Sequence, residues 1–171
     1  MYLQFEKFSI RPFIPGDEPS IVEQANNRKI WIQLRDLFPH PYLMEHAVEW
    51  IRSTLSMDPL TQFAIDINGR AVGGIGIVLK DDIYRRSGEI GYWLGEKFWG
   101  RGIMTQAVSA VSDWAFSSFD ICRLYAGVFE GNNASMRVLE KAGYRLEARH
   151  EKAVIKDSRT MDEIIYAMVR P

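Results

Sequence analysis

Two hydrophobic periods alternate along this chain. Apolar residues recur every second position in some segments and every third or fourth in others, the periods of strand and helix. Strand patterns cover Phe8–Phe13, Gln62–Ile67, Ala71–Leu79, Glu89–Leu94 and Arg123–Phe129, with a final antiparallel pair, Tyr144–Lys156 and Arg159–Val169. Helical patterns cover Glu18–Ala25, Arg28–Leu34, Met44–Leu55, Ile103 to Phe119 and Ala134–Ala142. In the fourth of these, Ile103, Ala107, Val111 and Trp114 share one face.

Local chemistry punctuates the pattern. Pro15-Gly16-Asp17 is a turn, with Asp17 as N-cap of the first helix. Two prolines keep Phe38-Pro39-His40-Pro41-Tyr42 out of a helix. Asn68-Gly69 is a two-residue hairpin signal, and Gly73, Gly74 and Gly76 mark bulges or close backbone approach. Asp81–Ser87 reads as a charged, solvated loop, Gly143 as a helix C-cap, and Lys156-Asp157-Ser158 as the last turn. The result is a mixed α/β chain with one central βαβ unit and hairpins on either side of it.

The 171 residues suit one domain, taken here as residues 1–171, and 47% hydrophobic content is a globular level. A net charge of −1 gives no reason to expect nucleic acid as the main partner. The single Cys122 excludes an internal disulfide and paired-cysteine metal sites; lying in an apolar run, it is expected buried and inert. No apolar run approaches a membrane span, and the first residues lack the apolar core of a leader. A soluble cytoplasmic protein without metal or membrane association is the expectation. Neither HExxH nor GxSxG occurs, so zinc peptidase and serine hydrolase chemistry find no support.

The most informative stretch is Glu89–Gly102, a strand, a turn with Gly100 and Gly102, and then a helix start. The first N–H groups of a helix lack intrahelical partners, and its dipole places partial positive charge there. Glycines let an anion approach the backbone closely. The turn therefore reads either as a phosphate cradle or as a turn alone. It carries neither the third glycine of GxGxxG nor the lysine of GxxxxGK[ST].

A second motif runs from Glu130-Gly131-Asn132-Asn133-Ala134-Ser135 to Ala142-Gly143-Tyr144. Together the two motifs resemble the GCN5-related N-acetyltransferase superfamily, and within it the RimJ/RimL type that modifies protein N-terminal amines. Lys97-Phe98-Trp99-Gly100-Arg101-Gly102 resembles its Gln/Arg-x-x-Gly-x-Gly/Ala turn, with Lys97 at the first position. The resemblance runs from Phe8 to Val169 and is strongest over Gly88–Gly143. It implies an α/β (α+β) fold with a mostly antiparallel twisted sheet of about seven strands and helices on both faces. One parallel pair, Glu89–Leu94 with Arg123–Phe129, would splay open to receive acetyl-CoA.

The resemblance also implies residue roles. The amides of Trp99, Gly100, Arg101, Gly102 and Ile103 would bind pyrophosphate, and Thr105 and Arg137 would touch phosphate. Tyr92 and Leu94 would bond the pantetheine arm through their main chain, as an added strand does, and Asn132 and Ser135 would meet the same arm. Many members protonate the departing thiolate with a Tyr seven residues after the Asn; here Leu139 stands there and Ser135 is the replacement. Glu89, opening a strand of the splay, is the candidate base, with a salt-bridged edge residue as the other reading. Trp31, Phe38, His40, Tyr42, Tyr144 and Tyr166 are acceptor-site candidates; His46 and His150 read as surface residues.

An α-amine titrates near ~7.8 and a lysine near ~10.4, so neutralising lysine costs ~3.5 kcal/mol more. Without a strong base, an α-amine is the easier acceptor. The expected activity is direct acetyl transfer to a primary amine such as a protein N-terminus. A small-molecule amine acetyltransferase and a non-catalytic CoA-binding protein are the alternatives, and a homodimer would be unsurprising.

Overall fold

The computed structural model describes residues 1–170. In chain order the elements are β1 (Leu3–Gln4), β2 (Ser9–Pro12), α1 (Glu18–Ala25), α2 (Arg28–Trp31), α3 (Met44–Leu55), β3 (Gln62–Ile67), β4 (Arg70–Leu79), β5 (Ser87–Leu94), α4 (Ile103–Ser118), β6 (Arg123–Phe129), α5 (Asn133–Lys141), β7 (Arg145–Lys156) and β8 (Arg159–Val169). Short 3-10 turns occupy Asp82–Tyr84 and Glu96–Phe98. The strands form an eight-stranded, mostly antiparallel sheet in the order β1-β2-β3-β4-β5-β6-β8-β7, with β5 and β6 parallel. The strand beyond the expected seven is β1, whose two residues are too short to show a period. No helix among the described residues is long and apolar enough to cross a membrane.

Packing divides the chain into two compact units, residues 1–76 with 92–103, and residues 77–91 with the chain from Met104. In the first, Asn68 and Gly69 both take positive φ, 54° and 76°, as a primed hairpin turn requires. The Gly69 N–H donates to the Asp66 carboxylate at 2.9 Å. Gly73 meets a close approach: a Cβ there would lie 2.5 Å from the Trp93 carbonyl oxygen. The core joins Phe13 and Ala64 of the sheet region to Ile21 and Ala25 of α1 and Ala47 and Ile51 of α3.

Helix starts in this unit depart from simple expectation. Asp17 occupies the N-cap position of α1, yet its carboxylate accepts from Arg11 at 2.7 and 2.8 Å and from the Ile14 N–H instead of capping the helix. Helix α2 ends at Trp31, short of Leu34, because the next amides tighten to i−3 carbonyls: Gln33 to Ile30 and Leu34 to Trp31. His46 is more than a surface residue; its Nδ1 accepts the Leu43 N–H at 2.9 Å and caps α3.

In the second unit, β6, β8 and β7 pair antiparallel, and Asp157 and Ser158 turn the final hairpin at φ 52° and 62°. Its ladder is interrupted between His150 and Val154, where the Asp162 carboxylate accepts from the Lys152 N–H at 2.8 Å and from Arg149. Helix α5 closes in a Schellman motif, with Gly143 at φ 93° and the Gly143 and Tyr144 amides donating to Glu140 and Leu139. Helix α4 buries Ala107, Val108, Val111 and Ala115, while Trp114 is half-buried. Cys122 is half-buried rather than buried, its thiol 3.7 Å from the Arg86 carbonyl, because the chain there is a short connection into β6.

Candidate functional site

The glycine turn is built on the end of β5. The Gly95 N–H donates to the Val72 carbonyl at 2.8 Å, and the Phe98 and Trp99 amides close back on Gly95 and Glu96 at 2.9 and 3.1 Å. Gly100 and Gly102 then adopt φ of 72° and 75°, a region that L-residues with a Cβ avoid. A Cβ at either would meet nothing within 4 Å, so the cradle is open on that side. Alternation of left-handed residues with ordinary ones turns successive N–H groups into a concavity suited to anions. The expected donor set needs one correction: the Trp99 amide is engaged by Glu96 inside the turn, which leaves Gly100, Arg101, Gly102 and Ile103 as the candidates.

Side chains brace this turn. The Trp99 indole Nε1–H donates to the Leu94 carbonyl at 2.7 Å, so one acceptor expected to face pantetheine already has a partner. Arg101 donates to the Lys97 carbonyl at 2.7 Å and lies over the Phe98 ring. The Lys97 ammonium pairs with Glu23 at 2.9 Å. Tyr92 is half-buried, and Thr105, in the first turn of α4, is half-buried too.

In the second unit the parallel strands part. The β5–β6 ladder pairs Ser87 with Arg123, Gly88 with Leu124 and Glu89 with Tyr125, and there it stops. Both strands continue beyond that rung, and each carries an exposed glycine, Gly91 and Gly127. Beyond that rung β6 keeps its antiparallel pairing with β8 through Phe129.

Glu89 stands on the last rung. Its Oε2 accepts from Lys80 Nζ at 2.8 Å and lies 3.4 Å from the Tyr125 hydroxyl. Glu89 and Lys80 side chains are 13% and 28% exposed, so solvent screens the pair only partly. Burial pulls the Lys80 ammonium down, but the hydrogen bonds and charges of Glu89 and Tyr125 outweigh it and raise it. The Tyr125 ring is flanked by two cations, Lys80 Nζ and the Arg123 guanidinium, each 5.5 Å from its centre. Sequence reading missed Lys80; its only signal is a cation immediately after the strand that precedes Glu89.

At the start of α5 the Asn132 carbonyl oxygen accepts the Ser135 N–H at 3.1 Å, a capping bond. Ser135 is half-buried and Arg137 exposed. Leu139, at the position where the resemblance led a Tyr to be expected, is fully buried.

The acceptor candidates separate. Trp31 and His40 stack at 5.5 Å and 27°, with Arg28 over the indole at 5.3 Å. Tyr42 is 5% exposed, packed on Phe38 within the core, and burial pushes its phenol up to about 12. Tyr166 is 4% exposed and donates to Glu140 at 2.8 Å. Tyr144 is likewise buried, 2.7 Å from Ser112 Oγ. All three rings are buried, and the Tyr166 and Tyr144 hydroxyls are already engaged by Glu140 and Ser112.

Residues 7–145 match the acetyltransferase (GNAT) domain, and the chain belongs to that family. It is 43% identical over 82 residues to a probable N-acetyltransferase, YjcK, of Bacillus subtilis, covering 48% of this chain and 45% of that one. It is 28% identical over 132 residues to the putative ribosomal N-acetyltransferase YdaF of the same organism, covering 72% of each. The matched segment spans about half the length of the first two curated relatives. Among solved structures, RimL, a ribosomal L7/L12 α-N-protein acetyltransferase in complex with coenzyme A, superposes with a TM-score of 0.86 at 20% identity. The match covers 99% of this chain and 98% of that one.

Proposed function

We propose that this chain is an acetyl-CoA-dependent N-acetyltransferase whose acceptor is a primary amine, specifically a protein or peptide N-terminal α-amine. The observation that carries the reading is the pair of left-handed glycines, Gly100 and Gly102, opening onto the first turn of α4 with open space at both α-carbons. That cradle fits a pyrophosphate, and the strand backbone beyond the Glu89–Tyr125 rung fits an amide-bearing arm. The family match and the fold shared with a CoA-bound ribosomal-protein acetyltransferase point the same way.

When bound, acetyl-CoA supplies a thioester carbonyl to the acceptor amine. The amides of Gly100, Arg101, Gly102 and Ile103 hold its diphosphate, and Thr105 and Arg137 are candidate phosphate contacts. Tyr92 and Leu94 offer main-chain groups to the arm. Asn132 fixes the first turn of α5, which carries the Ser135 hydroxyl for the departing sulfur. Glu89 takes the amine proton, and Lys80 and Tyr125 hold its carboxylate in place. Half-buried Trp31 and exposed His40, stacked on each other, form the aromatic contact for the acceptor. An α-amine needs less help to lose its proton than a lysine, by ~3.5 kcal/mol.

Calorimetric titration with acetyl-CoA, using NAD as control, tests the cosubstrate. Micromolar binding of acetyl-CoA and none of NAD is expected; no binding by folded protein would sink the reading. Mass spectrometry of N-terminally free peptides and of spermidine incubated with acetyl-CoA then tests the acceptor. Acetylation of spermidine alone would move the acceptor to small amines, and binding without any transfer would leave a CoA-binding protein.

A further inference from the structure

Glu23, on α1, holds two cations at once. One carboxylate oxygen accepts from Lys97 Nζ at 2.9 Å and the other from the Arg70 guanidinium. Three elements of one compact unit meet here: α1, the start of β4 beside the Asn68-Gly69 turn, and the glycine turn after β5. Two cations converging on the two oxygens of one carboxylate is also the arrangement that binds phosphoryl oxygens. The side chains of Glu23, Arg70 and Lys97 are 41%, 57% and 70% exposed, so a larger anion can reach both cations. Glu96, next to Lys97 in the chain, is itself held by Lys29 and Asn27 and leaves the two cations to Glu23.

Charge decides which anion the pair prefers. Glu23 brings one negative charge to two positive ones. Its carboxyl is held down to about 2 by the Lys97 hydrogen bond first and the Arg70 bond second, so it is anionic at any working pH. A phosphomonoester carries about −1.5 to −2 at pH 7 and three acceptor oxygens, and so neutralises both cations where a carboxylate cannot.

We propose that Arg70 and Lys97 form a phosphomonoester site in which Glu23 is a resident counter-ion, exchanged on binding for the ribose phosphate of the CoA cosubstrate. The proposal rests on the reading that the Gly100/Gly102 turn takes the diphosphate of the same molecule. Arg70 lies 27 residues before Lys97 and outside every motif of the sequence.

The test compares acetyl-CoA with acetyl-dephospho-CoA, which lacks only that phosphate, by calorimetry at fixed ionic strength. Wild type is expected to prefer acetyl-CoA by about tenfold, the scale of a single charge-assisted hydrogen bond. Arg70→Gln should remove most of that preference, Arg70→Lys should restore part of it, and Glu23→Gln should widen it. A preference unchanged in Arg70→Gln, a loss shared equally by both ligands, or no widening in Glu23→Gln overturns the proposal. Wild type that binds both thioesters equally overturns this site alone, whereas folded wild type that binds neither overturns the cosubstrate reading with it. Inorganic phosphate titrated alone separates the remaining source: Arg70-dependent phosphate binding without any thioester preference would reassign the site to free phosphate.

Discussion

The Trp99 indole N–H donates to the Leu94 carbonyl oxygen across 2.7 Å, tying the glycine turn back to the last residue of β5. Backbone bonds through Gly95, Phe98 and Trp99 and the Arg101 bond to the Lys97 carbonyl hold the rest of the turn. Trp99 is 45% exposed, so its ring contributes little core packing and its main structural act is this bond.

Trp99→Phe removes the donor while keeping an aromatic ring. Loss of one neutral hydrogen bond at a part-exposed site costs about 1 kcal/mol of local order. Acetyl-CoA affinity should fall about fivefold, with the thermal midpoint within a few degrees of wild type. Calorimetry alongside a melt separates the two; an unchanged affinity would show that the turn is set by its backbone alone.

Gly102→Ala isolates backbone strain. At φ 75° an alanine is disfavoured by about 1–2 kcal/mol, and with nothing within 4 Å of the new Cβ no clash inside the protein adds to it. The variant should therefore fold, with binding of acetyl-CoA weakened at least tenfold as the turn relaxes. Gly102→Asp should abolish binding, because a carboxylate then projects into the space proposed for diphosphate. A folded Gly102→Asp protein with wild-type affinity would place the cosubstrate elsewhere.

Features of short range were readable in the sequence. Asn68-Gly69, Gly143 and the Asp157-Ser158 turn declare themselves because a positive φ is a requirement of a single residue, and each takes one. The β5–α4–β6 unit was readable because its helix has a long apolar period and its strands lie close in sequence. Pairings across elements were not. Lys80 with Glu89 and Glu23 with Arg70 and Lys97 depend on which strand or helix lies beside which, and charge alone does not encode that. Tyr42 and Tyr166 show a different limit: an aromatic ring suits a pocket wall and a core equally, and the sequence does not say that both are buried. Asp17 was identified as a cap from its position, but Arg11 on the neighbouring strand outcompetes the helix amides for its carboxylate.

That Arg11 clamp yields a stability prediction. Arg11 bonds Asp17 and Asp66 at once, and their side chains are only 4% and 10% exposed. Arg11→Met leaves two carboxylates in a poorly solvated site without their cation, which costs about 3 kcal/mol, at the lower end for a broken buried pair. The urea midpoint should drop accordingly. The triple variant Arg11→Met, Asp17→Asn, Asp66→Asn should recover part of the loss, because no unpaired charge remains. Equal destabilisation of the single and triple variants would show that packing of the Arg11 stem, rather than stranded charge, sets the cost.

Alkaline stability follows from Tyr144. Its hydroxyl lies 2.7 Å from Ser112 Oγ, and Ser112 uses its own hydrogen on the Val108 carbonyl at 2.7 Å, so Tyr144 is the donor. Burial pushes the phenol from its ordinary 10 up to about 12. Above pH 10 the unfolded chain therefore loses this proton while the folded chain keeps it. The stability Tyr144 contributes is complete below pH 10 and disappears as pH climbs to about 12, a loss of about 2–3 kcal/mol at most. Tyr42, also pushed to about 12 by burial, acts in the same direction and window. Tyr144→Phe should lose about 1 kcal/mol at pH 8 with the hydrogen bond, yet decline less steeply than wild type between pH 9 and 11. Because every other group is common to both proteins, the difference between the two slopes is the measurement. Parallel urea-midpoint curves across that range would mean that the Tyr144 phenol ionises as readily folded as unfolded.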